Sequence, residues 1–311
     1  MKLSNIVLTA LSAVSIFACT RHDADLQVNS VISVTAGVEQ TKVGYEGTSV
    51  LPSTFVMDIA QGAGAAYDYS LVQMNKDPET NVYTPSEGQE LLWADKSHAG
   101  VAVKAMTLPY GLSEVDADAP MQVAVCQDQS TEDSVLACDV LVGTNEVSGG
   151  ISIYGNAINI SFRHLLSKLK ITCGYGTGLT ASDVVFNSVK MKNVCISGGY
   201  SYADMQFDVS VSKVYGDIEM FNDASSSMFE ALFFPYTPTA GMSSVLFDVT
   251  IEGTPYLLTC PMNLKSGGSF VGGKMYTMSV TFANSTVEGT TAQISTGWTE
   301  IEPAENQFVA Q

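Results

Sequence analysis

Arginine is nearly absent from this chain of 311 residues. Only Arg21 and Arg163 occur, and 14 basic residues stand against 32 acidic ones, which gives a formal net charge of −18. Nucleic-acid phosphates require clusters of lysine and arginine, so this composition argues against a nucleic-acid-binding protein. The same scarcity argues against phosphate or carboxylate sites that are built from several arginines.

Long hydrophobic runs are also missing, apart from one at the N-terminus. The uncharged segment from Ile6 to Ala18 follows Lys2 and is too short for a permanent membrane helix. It ends in Ile-Phe-Ala-Cys, which resembles a bacterial lipobox. We therefore predict a signal peptide over residues 1–18, cleavage between Ala18 and Cys19, and a polar tether over residues 19–27. An ordinary secretory leader that happens to end before a cysteine is the alternative.

The resemblance to a lipobox implies that lipid on the Cys19 sulfur anchors the mature chain. Each buried CH₂ group of such a lipid stabilises membrane attachment by about 0.8 kcal/mol. Thr20 rather than aspartate follows Cys19, which is typical of Gram-negative lipoproteins that reach the outer membrane. We expect a protein that is lipid-anchored in the cell outer membrane and exposed at the surface.

Five cysteines remain once Cys19 is assigned to the lipid, and an odd number cannot all pair. Most lie in apolar, strand-like runs, which favours buried thiols that act as small hydrophobic side chains. Cys126 and Cys138 are the best candidates for a disulfide, because a short loop could bring two neighbouring strands together. There is no Cys-x-x-Cys motif, and we predict no metal site.

Short runs of alternating apolar and polar residues dominate the rest of the chain, and no window shows a sustained helical pattern. We therefore predict an all-β fold of antiparallel β-sandwiches, with a short helical turn near Arg163–Ser167 as the one exception. One sandwich takes roughly 100 residues, so we predict two tandem domains, over residues 28–160 and 161–311. The predicted strands are Ser30–Thr35, Thr54–Ala60, Tyr67–Met74, Val101–Met106, Met121–Gln127, Ile151–Phe162, Lys168–Cys173, Ser188–Ile196, Met205–Val211, Glu230–Phe234, Val245–Ile251, Tyr256–Cys260, Tyr276–Phe282 and Gln293–Ser295.

Several segments resemble parts of catalytic or ligand sites, but each lacks a required element. Gly268–Lys274 has the spacing of a phosphate-binding loop, yet Met275 replaces the Mg²⁺-binding hydroxyl and a strand follows. His164 has no adjacent nucleophile motif, so we predict a structural histidine. Asp116 and Asp118 lack the spacing of a Ca²⁺ loop. We predict no catalytic residue and no cofactor.

The two tryptophans, Trp93 and Trp298, are the remaining candidates for a binding role. Aromatic rings of this kind stack on sugars, but in a sandwich they more often fill the core or close one end of a domain. We therefore predict that both are structural.

The order of the motifs after the lipobox resembles that of the fimbrillin-like (Mfa-like) lipoproteins of Bacteroides-type bacteria. The resemblance covers nearly the whole mature chain, and its most specific parts are the His-Leu-Leu-Ser-Lys-Leu segment and the Gly-x-x-Tyr strand. In order, the matching segments are Val31–Thr35, Tyr83, Leu92–Asp95, Val101–Tyr110, His164–Ile171, Gly272–Val280 and Gly297–Trp298.

This resemblance implies transthyretin-like sandwiches and a role in type V pili, as a stalk, anchor or tip subunit. In stalk subunits an Arg-specific protease removes the lipidated first strand, and a strand from the next subunit fills the groove. Here no arginine lies between Ala24 and Phe162. We therefore expect the first-strand region, with Val28, Val31, Ile32 and Val34, to stay in place.

We accordingly predict a non-catalytic accessory, anchor or tip subunit that acts in pilus assembly and cell adhesion. Its expected partners are other pilus subunits through β-strand addition, outer-membrane lipid through acylated Cys19, and ligands on host or bacterial surfaces. A location in the fimbrium is possible on this interpretation. A surface glycan-binding lipoprotein of a nutrient-uptake system is the main alternative, and a hydrolase is a weaker one.

Overall fold

The computed structural model describes residues 30–38, 51–62, 67–86, 89–94, 98, 100–145, 150–176, 178–223, 227–239, 241–262, 264, 268–283, 286–295 and 305–308. Within these residues the chain is almost entirely β-structure, which confirms the predicted fold class. The signal peptide, Cys19, the tether and Val28 lie outside the described residues. No helix within the described ranges has the length and apolar character that a membrane span requires.

The first half of the chain contains nine strands and the one α-helix of the described residues. They are β1 (Ser33–Val38), β2 (Thr54–Ala60), β3 (Tyr69–Lys76), β4 (Val82–Pro85), β5 (Ala102–Met106), β6 (Met121–Ala124), α1 (Glu132–Cys138), β7 (Leu141–Thr144), β8 (Ile151–Tyr154) and β9 (Ala157–His164).

The second half contains a single 3₁₀ turn at Ala181–Asp183 and eleven strands. They are β10 (Ser167–Tyr175), β11 (Val184–Ser201), β12 (Gln206–Asp208), β13 (Val214–Glu219), β14 (Phe221–Asp223), β15 (Met228–Phe233), β16 (Ser244–Ile251), β17 (Thr254–Pro261), β18 (Met275–Ala283), β19 (Thr286–Ser295) and β20 (Glu305–Phe308).

Strands from residues 33 to 164 form one sheet in the order β1-β4-β3-β2-β5-β7-β9-β8. Because β1 also pairs with β9, this sheet closes on itself. Alternate side chains of each strand point inward, as the period-2 pattern of the sequence requires. We call the enclosed residues the first core; its fully buried members include Val34, Met57, Met74, Trp93, Val103, Ile158 and Phe162.

Two sheets enclose the second core. One has the order β14-β15-β10-β18-β19-β20, and the other the order β12-β11-β16-β17, with β6 and β13 also paired to β11. Phenylalanine rings fill the space between the two sheets. The ring centroid of Phe186 lies 4.9 Å from that of Phe229 and 5.5 Å from that of Phe282, and both contacts are edge to face. Such perpendicular contacts are a favourable geometry for aromatic rings.

The segment between β5 and β7 packs with the second core although it precedes β9 in the chain. Val123 of β6 and Val135 and Cys138 of α1 belong to that core. Gln129 is fully buried and exchanges two 2.8 Å hydrogen bonds with the backbone of Leu232. The first sheet ends at His164, close to the predicted boundary at residue 160, but the division into two domains stays a prediction.

Several local predictions were wrong. Residues Glu132–Cys138 form a helix, because Thr131 and Ser134 build a capping box at its start. Residues Ile151–Phe162 form a hairpin of two strands, since Gly155 turns the chain with a φ of 58°. The predicted helical turn near Arg163–Ser167 is absent; Arg163 ends in β9 and Ser167 begins β10.

The second half also holds more β-structure than the sequence pattern suggested. The predicted strand Gln293–Ser295 is the end of the longer strand β19, which pairs with β18 and β20. Strands β16 and β17 form a hairpin: Glu252 and Gly253 turn the chain with φ values of 48° and 80°, which is the two-residue turn that suits a hairpin.

Candidate functional site

Strand β1 fills a groove between β4 and β9, and this groove is the candidate site. The strand runs parallel to β9 over six residue pairs, from Ser33 opposite Ala157 to Val38 opposite Phe162. On its other edge it pairs antiparallel with β4, with Val34 opposite Tyr83. Val34 and Thr35 therefore have strand partners on both edges, so no strand edge is open at these two residues.

The side chains of β1 alternate between the core and the surface. Ile32, Val34, Ala36 and Val38 are buried, whereas Val31 is 57% exposed. The predicted strand was Ser30–Thr35; the observed ladder starts three residues later and is preceded by a single bridge between Val31 and Leu92. Ile32 and Val34 thus face the core as a half-buried strand requires, while Val31 faces away from it.

Backbone and side-chain hydrogen bonds hold the start of this region on both sides. The Ile32 N–H donates to the Leu91 carbonyl at 2.8 Å, and the Trp93 N–H donates to the Ser30 carbonyl at 3.0 Å. On the β9 side, the Thr35 hydroxyl donates to the Asn159 side chain at 2.6 Å. Asn159 is a contact that sequence reasoning missed, although its place in the alternating run before Arg163 could have indicated it.

Aromatic rings form the floor of the groove under β1. The ring centroid of Phe55 lies 4.8 Å from that of Tyr83 and 5.1 Å from that of Phe162. The Tyr83 hydroxyl donates to the Pro52 carbonyl at 2.7 Å, and burial raises the pKa of this phenol to about 12. Trp93 is completely buried beside them, so the prediction that Trp93 belongs to the core is confirmed. Trp298 lies outside the described residues.

The His-Leu-Leu-Ser-Lys segment connects the two cores. His164 lies at the end of β9, and its Nδ1 atom is 2.8 Å from a carboxylate oxygen of Asp139. No local pattern indicated this partner, which lies 25 residues earlier in the chain. The pair lies where the segment from α1 returns to β7, so its position favours a structural role for His164.

Lys168 of the same segment is an almost fully buried cation. Its Nζ atom lies 2.5 Å from a carboxylate oxygen of Glu230, and Lys170 lies 3.9 Å from the other oxygen. Desolvation lowers the pKa of the Lys168 ammonium, while the charge of Glu230 acts in the opposite direction. A buried pair of this kind depends on both partners, because loss of either one deprives the other of its nearest opposite charge.

The cysteines separate into a pair and three buried thiols. The structure joins Cys126 and Cys138 in a disulfide with their Cα atoms 6.2 Å apart, across the loop that contains α1. Cys173, Cys195 and Cys260 are free and buried, as the apolar pattern around them predicted. Burial raises the pKa of the Cys173 and Cys260 thiols to about 12, so they are poor nucleophiles at neutral pH.

The motifs that resembled ligand loops have structural explanations. Gly268–Lys274 leads into strand β18 and not into a helix. A Cβ atom on Gly272 would lie 2.3 Å from the Leu165 carbonyl oxygen, so the glycine allows this loop to pack on the connection between the cores. Asp116 accepts backbone hydrogen bonds from Asp118 and Ala119, which lower the pKa of its carboxyl. In the described part of the chain, no three metal-ligating side chains come together.

Comparison with solved structures supports this architecture. A crystal structure of a candidate cell adhesion protein from Bacteroides uniformis superposes with a TM-score of 0.62 at 19% identity, covering 86% of this chain and 98% of that one. A second candidate cell adhesion protein, from Bacteroides ovatus, gives a TM-score of 0.59 at 14% identity, covering 92% and 100%. At these identities the likeness concerns the fold. Among curated proteins, none matches this chain in sequence.

A family model gives the stronger result because it matches sequence over most of the chain. The match extends from residue 20 to residue 298 and therefore includes β1, β4, β9 and the connection between the two cores. The motifs that suggested the resemblance lie within this range. The chain belongs to the fimbrillin-like family.

Proposed function

We propose that this protein is a non-catalytic, lipid-anchored surface subunit that serves as an accessory, anchor or tip component of type V pili. Membership of the fimbrillin-like family supports a pilus-related role at the cell surface. The observation that carries the finer proposal is the pairing of β1 on both edges, with its own chain in the groove. A subunit that keeps this strand cannot receive another strand in the same place.

The distribution of arginine supports retention of the strand. The segment between β1 and β2 contains Lys42 but no arginine. An Arg-specific protease would therefore find its first target at Arg21, which precedes β1. Cleavage there would release the lipid and leave β1 attached to the rest of the protein.

The substitution Lys42→Arg tests whether the lack of an arginine between β1 and β2 keeps β1 in place. The full-length chain and its Lys42→Arg variant are expressed in a Bacteroides host and treated with an Arg-specific protease. We expect the wild-type chain to keep β1 and to stay monomeric, whereas the variant gains a target between β1 and β2. Mass spectrometry of the new N-termini and gel ladders of polymer are the measurements. A wild-type chain that loses β1 in the Bacteroides host, by cleavage at any bond between β1 and β2, and then polymerises would contradict the proposal.

The lipid anchor is tested separately. We propose that Cys19 carries the lipid and that Ala18 is the last residue removed. Metabolic labelling with an alkyne fatty acid should mark the wild-type protein and should not mark Cys19→Ala. A matched Cys195→Ala variant, which loses a buried thiol instead, should keep the label. Labelling that survives Cys19→Ala would overturn the assignment without affecting the role of β1.

A further inference from the structure

A cleft of about 770 Å³ lies where the first sheet meets the second core, away from the groove of β1. One wall comes from β7 and the end of β9, and the opposite wall comes from Tyr200, the segment Met205–Phe207 and the loop Val271–Lys274. The volume lies within the range of about 300–1,000 Å³ that is typical of ligand sites. The proposed function does not use this cleft.

The charge of the cleft is opposite to that of the protein. Arg163, His164 and Lys274 line it, and the described lining residues include no carboxylate. The chain as a whole carries 32 acidic against 14 basic residues. One of the only two arginines in the sequence therefore lies in a concave site where the local field favours an anion.

An aromatic ring lines the same cleft as Arg163 and Lys274. Phe207 is 42% exposed and forms part of the wall. The Phe207 ring packs edge to face with Tyr200 and Phe234, at distances of 5.8 Å and 5.3 Å between ring centroids. These buried neighbours fix the orientation of the Phe207 ring. Arg163 and Tyr200 line the same cleft, and the positive charge of Arg163 opposes the rise in the pKa of Tyr200 that burial causes.

The glycine loop packs closely against the edge of this ring. A Cβ atom on Gly272 would lie 3.0 Å from the edge of Phe207, so any other residue would push against the ring. Gly273 has a φ of 70°, a conformation that favours glycine. The wall that faces Phe207 therefore consists of backbone, and Lys274 follows directly after it.

We propose that this cleft binds a carboxylate-bearing sugar of a surface glycan. Arg163 and Lys274 would pair with the carboxylate, and Phe207 would pack against the apolar face of the sugar ring. A planar guanidinium matches the two oxygens of a carboxylate, and an aromatic face suits the C–H groups of a sugar. An acidic sugar presents both features on one rigid ring, which is the arrangement of the cleft.

The test uses the mature full-length chain, with trigalacturonic acid and a sialyl-oligosaccharide as probes in calorimetric titrations at low salt. We expect at least one probe to bind, and Arg163→Gln to weaken that binding by about tenfold to a hundredfold, because a charged hydrogen bond is lost. Phe207→Ala should weaken it severalfold. Lys213→Gln is the matched control: it removes the same charge from an exposed site outside the cleft and should change the affinity less than twofold.

Three results would overturn the proposal. Neither acidic probe binds better than a neutral galactose trisaccharide, or Lys213→Gln weakens binding as much as Arg163→Gln, or pentaglutamate binds more tightly than both sugars through Arg163. The last result would assign the cleft to an acidic peptide. None of these results affects the retention of β1, which the protease experiment measures independently.

Discussion

The two cores of this protein are closed in different ways. The first core needs β1, which is the first strand of the described residues and joins β4 to β9. The second core is closed by hairpins of its own, such as β16–β17 and β18–β19, together with β6 and α1 from the preceding segment. A change near the N-terminus should therefore affect the first core alone.

This difference has a functional consequence. A sheet that is completed by a terminal strand can in principle lose that strand and accept another, because the groove remains as a template. A sheet completed by internal hairpins offers no such exchange. The proposed retention of β1 in the first core and the proposed binding of a ligand in the cleft are thus separable, and substitutions confined to one core can test them.

The largest effect is expected for Val34→Asp in β1. Val34 is completely buried, so the aspartate would place an unpaired carboxylate in the first core. We expect the free energy of unfolding of that core to fall by at least about 4 kcal/mol. Trp93 fluorescence in a Trp298→Phe background should report the loss, because Trp93 lies in this core. Hydrogen exchange of β18 amides should stay slow.

Val31→Asp is the matched control for this experiment. Val31 lies two residues before the first residue of β1, and its side chain is 57% exposed. An aspartate carboxylate at this position would therefore remain in water. The change in stability should stay within about 0.5 kcal/mol. Equal destabilisation by both variants would show that β1 is not held as the contacts indicate.

The period-2 pattern predicted a strand in this region but not its bounds, because the predicted strand Ser30–Thr35 and the observed strand Ser33–Val38 share only Ser33–Thr35. It did not reveal the partners of β1, since the pairing with β9 joins residues more than 120 positions apart. The cleft was equally hidden: Arg163, Phe207 and Lys274 come from three separate segments. Long-range pairing of this kind leaves no trace in local periodicity.

Helix α1 was missed for a different reason. It has seven residues, of which only Val135 and Cys138 are buried, so no apolar stripe of useful length exists. Its start is set by a capping box of Thr131 and Ser134, where the more familiar pattern has glutamate or glutamine in the second position. Cys138 ends this helix and does not lie in a strand, so the reason for pairing it with Cys126, a short loop between two neighbouring strands, does not describe the local structure.

Glu230→Ala should give the second largest effect, and it should appear in the second core. The substitution leaves the Lys168 ammonium buried without its carboxylate. Removal of one partner from a buried ion pair costs about 3–5 kcal/mol. Urea denaturation followed by hydrogen exchange of β10 measures the loss, and Trp93 fluorescence should still report a folded first core.

A Glu219→Ala variant provides the control for this pair. Glu219 lies 2.9 Å from Lys190, but that lysine is 41% exposed at its side chain. Exposed ion pairs contribute at most about 1 kcal/mol. If Glu219→Ala destabilised the protein as much as Glu230→Ala, burial of Lys168 would not explain the difference.

Loss of the Cys126–Cys138 pair should have the next largest effect, on the segment that links the two halves. A disulfide that closes a loop of this length stabilises the folded state by about 3 kcal/mol in the chain-entropy model. We expect the Cys126→Ser, Cys138→Ser double variant to lose about that much. Faster hydrogen exchange in α1 and β6 is the measurement. A wild-type chain whose stability does not change with a reductant would contradict this prediction.

The smallest effect on the free energy of unfolding is expected from alkaline pH, and it should differ between the two cores. The pKa values of Cys173 and Cys260 rise from 9.0 to about 12 in the folded second core. Between these values the unfolded chain releases protons that the folded chain keeps, so stability is complete below pH 9 and falls towards pH 12. At pH 9.5 the two thiols together should lower the free energy of unfolding by about 1–2 kcal/mol.

In the first core, by contrast, burial raises the pKa of Tyr83 from 10.0 to about 12. The free energy of unfolding of the first core should therefore begin to fall about one pH unit higher than that of the second core. Denaturation curves from pH 8 to 10 should therefore show the second core weakening first. The Cys173→Ala, Cys260→Ala double variant should flatten that decline. The readout is the slope of the free energy of unfolding against pH, because the small cavity that alanine leaves also lowers the free energy of unfolding itself. An unchanged slope in the double variant would mean that the two thiols titrate normally in the folded protein.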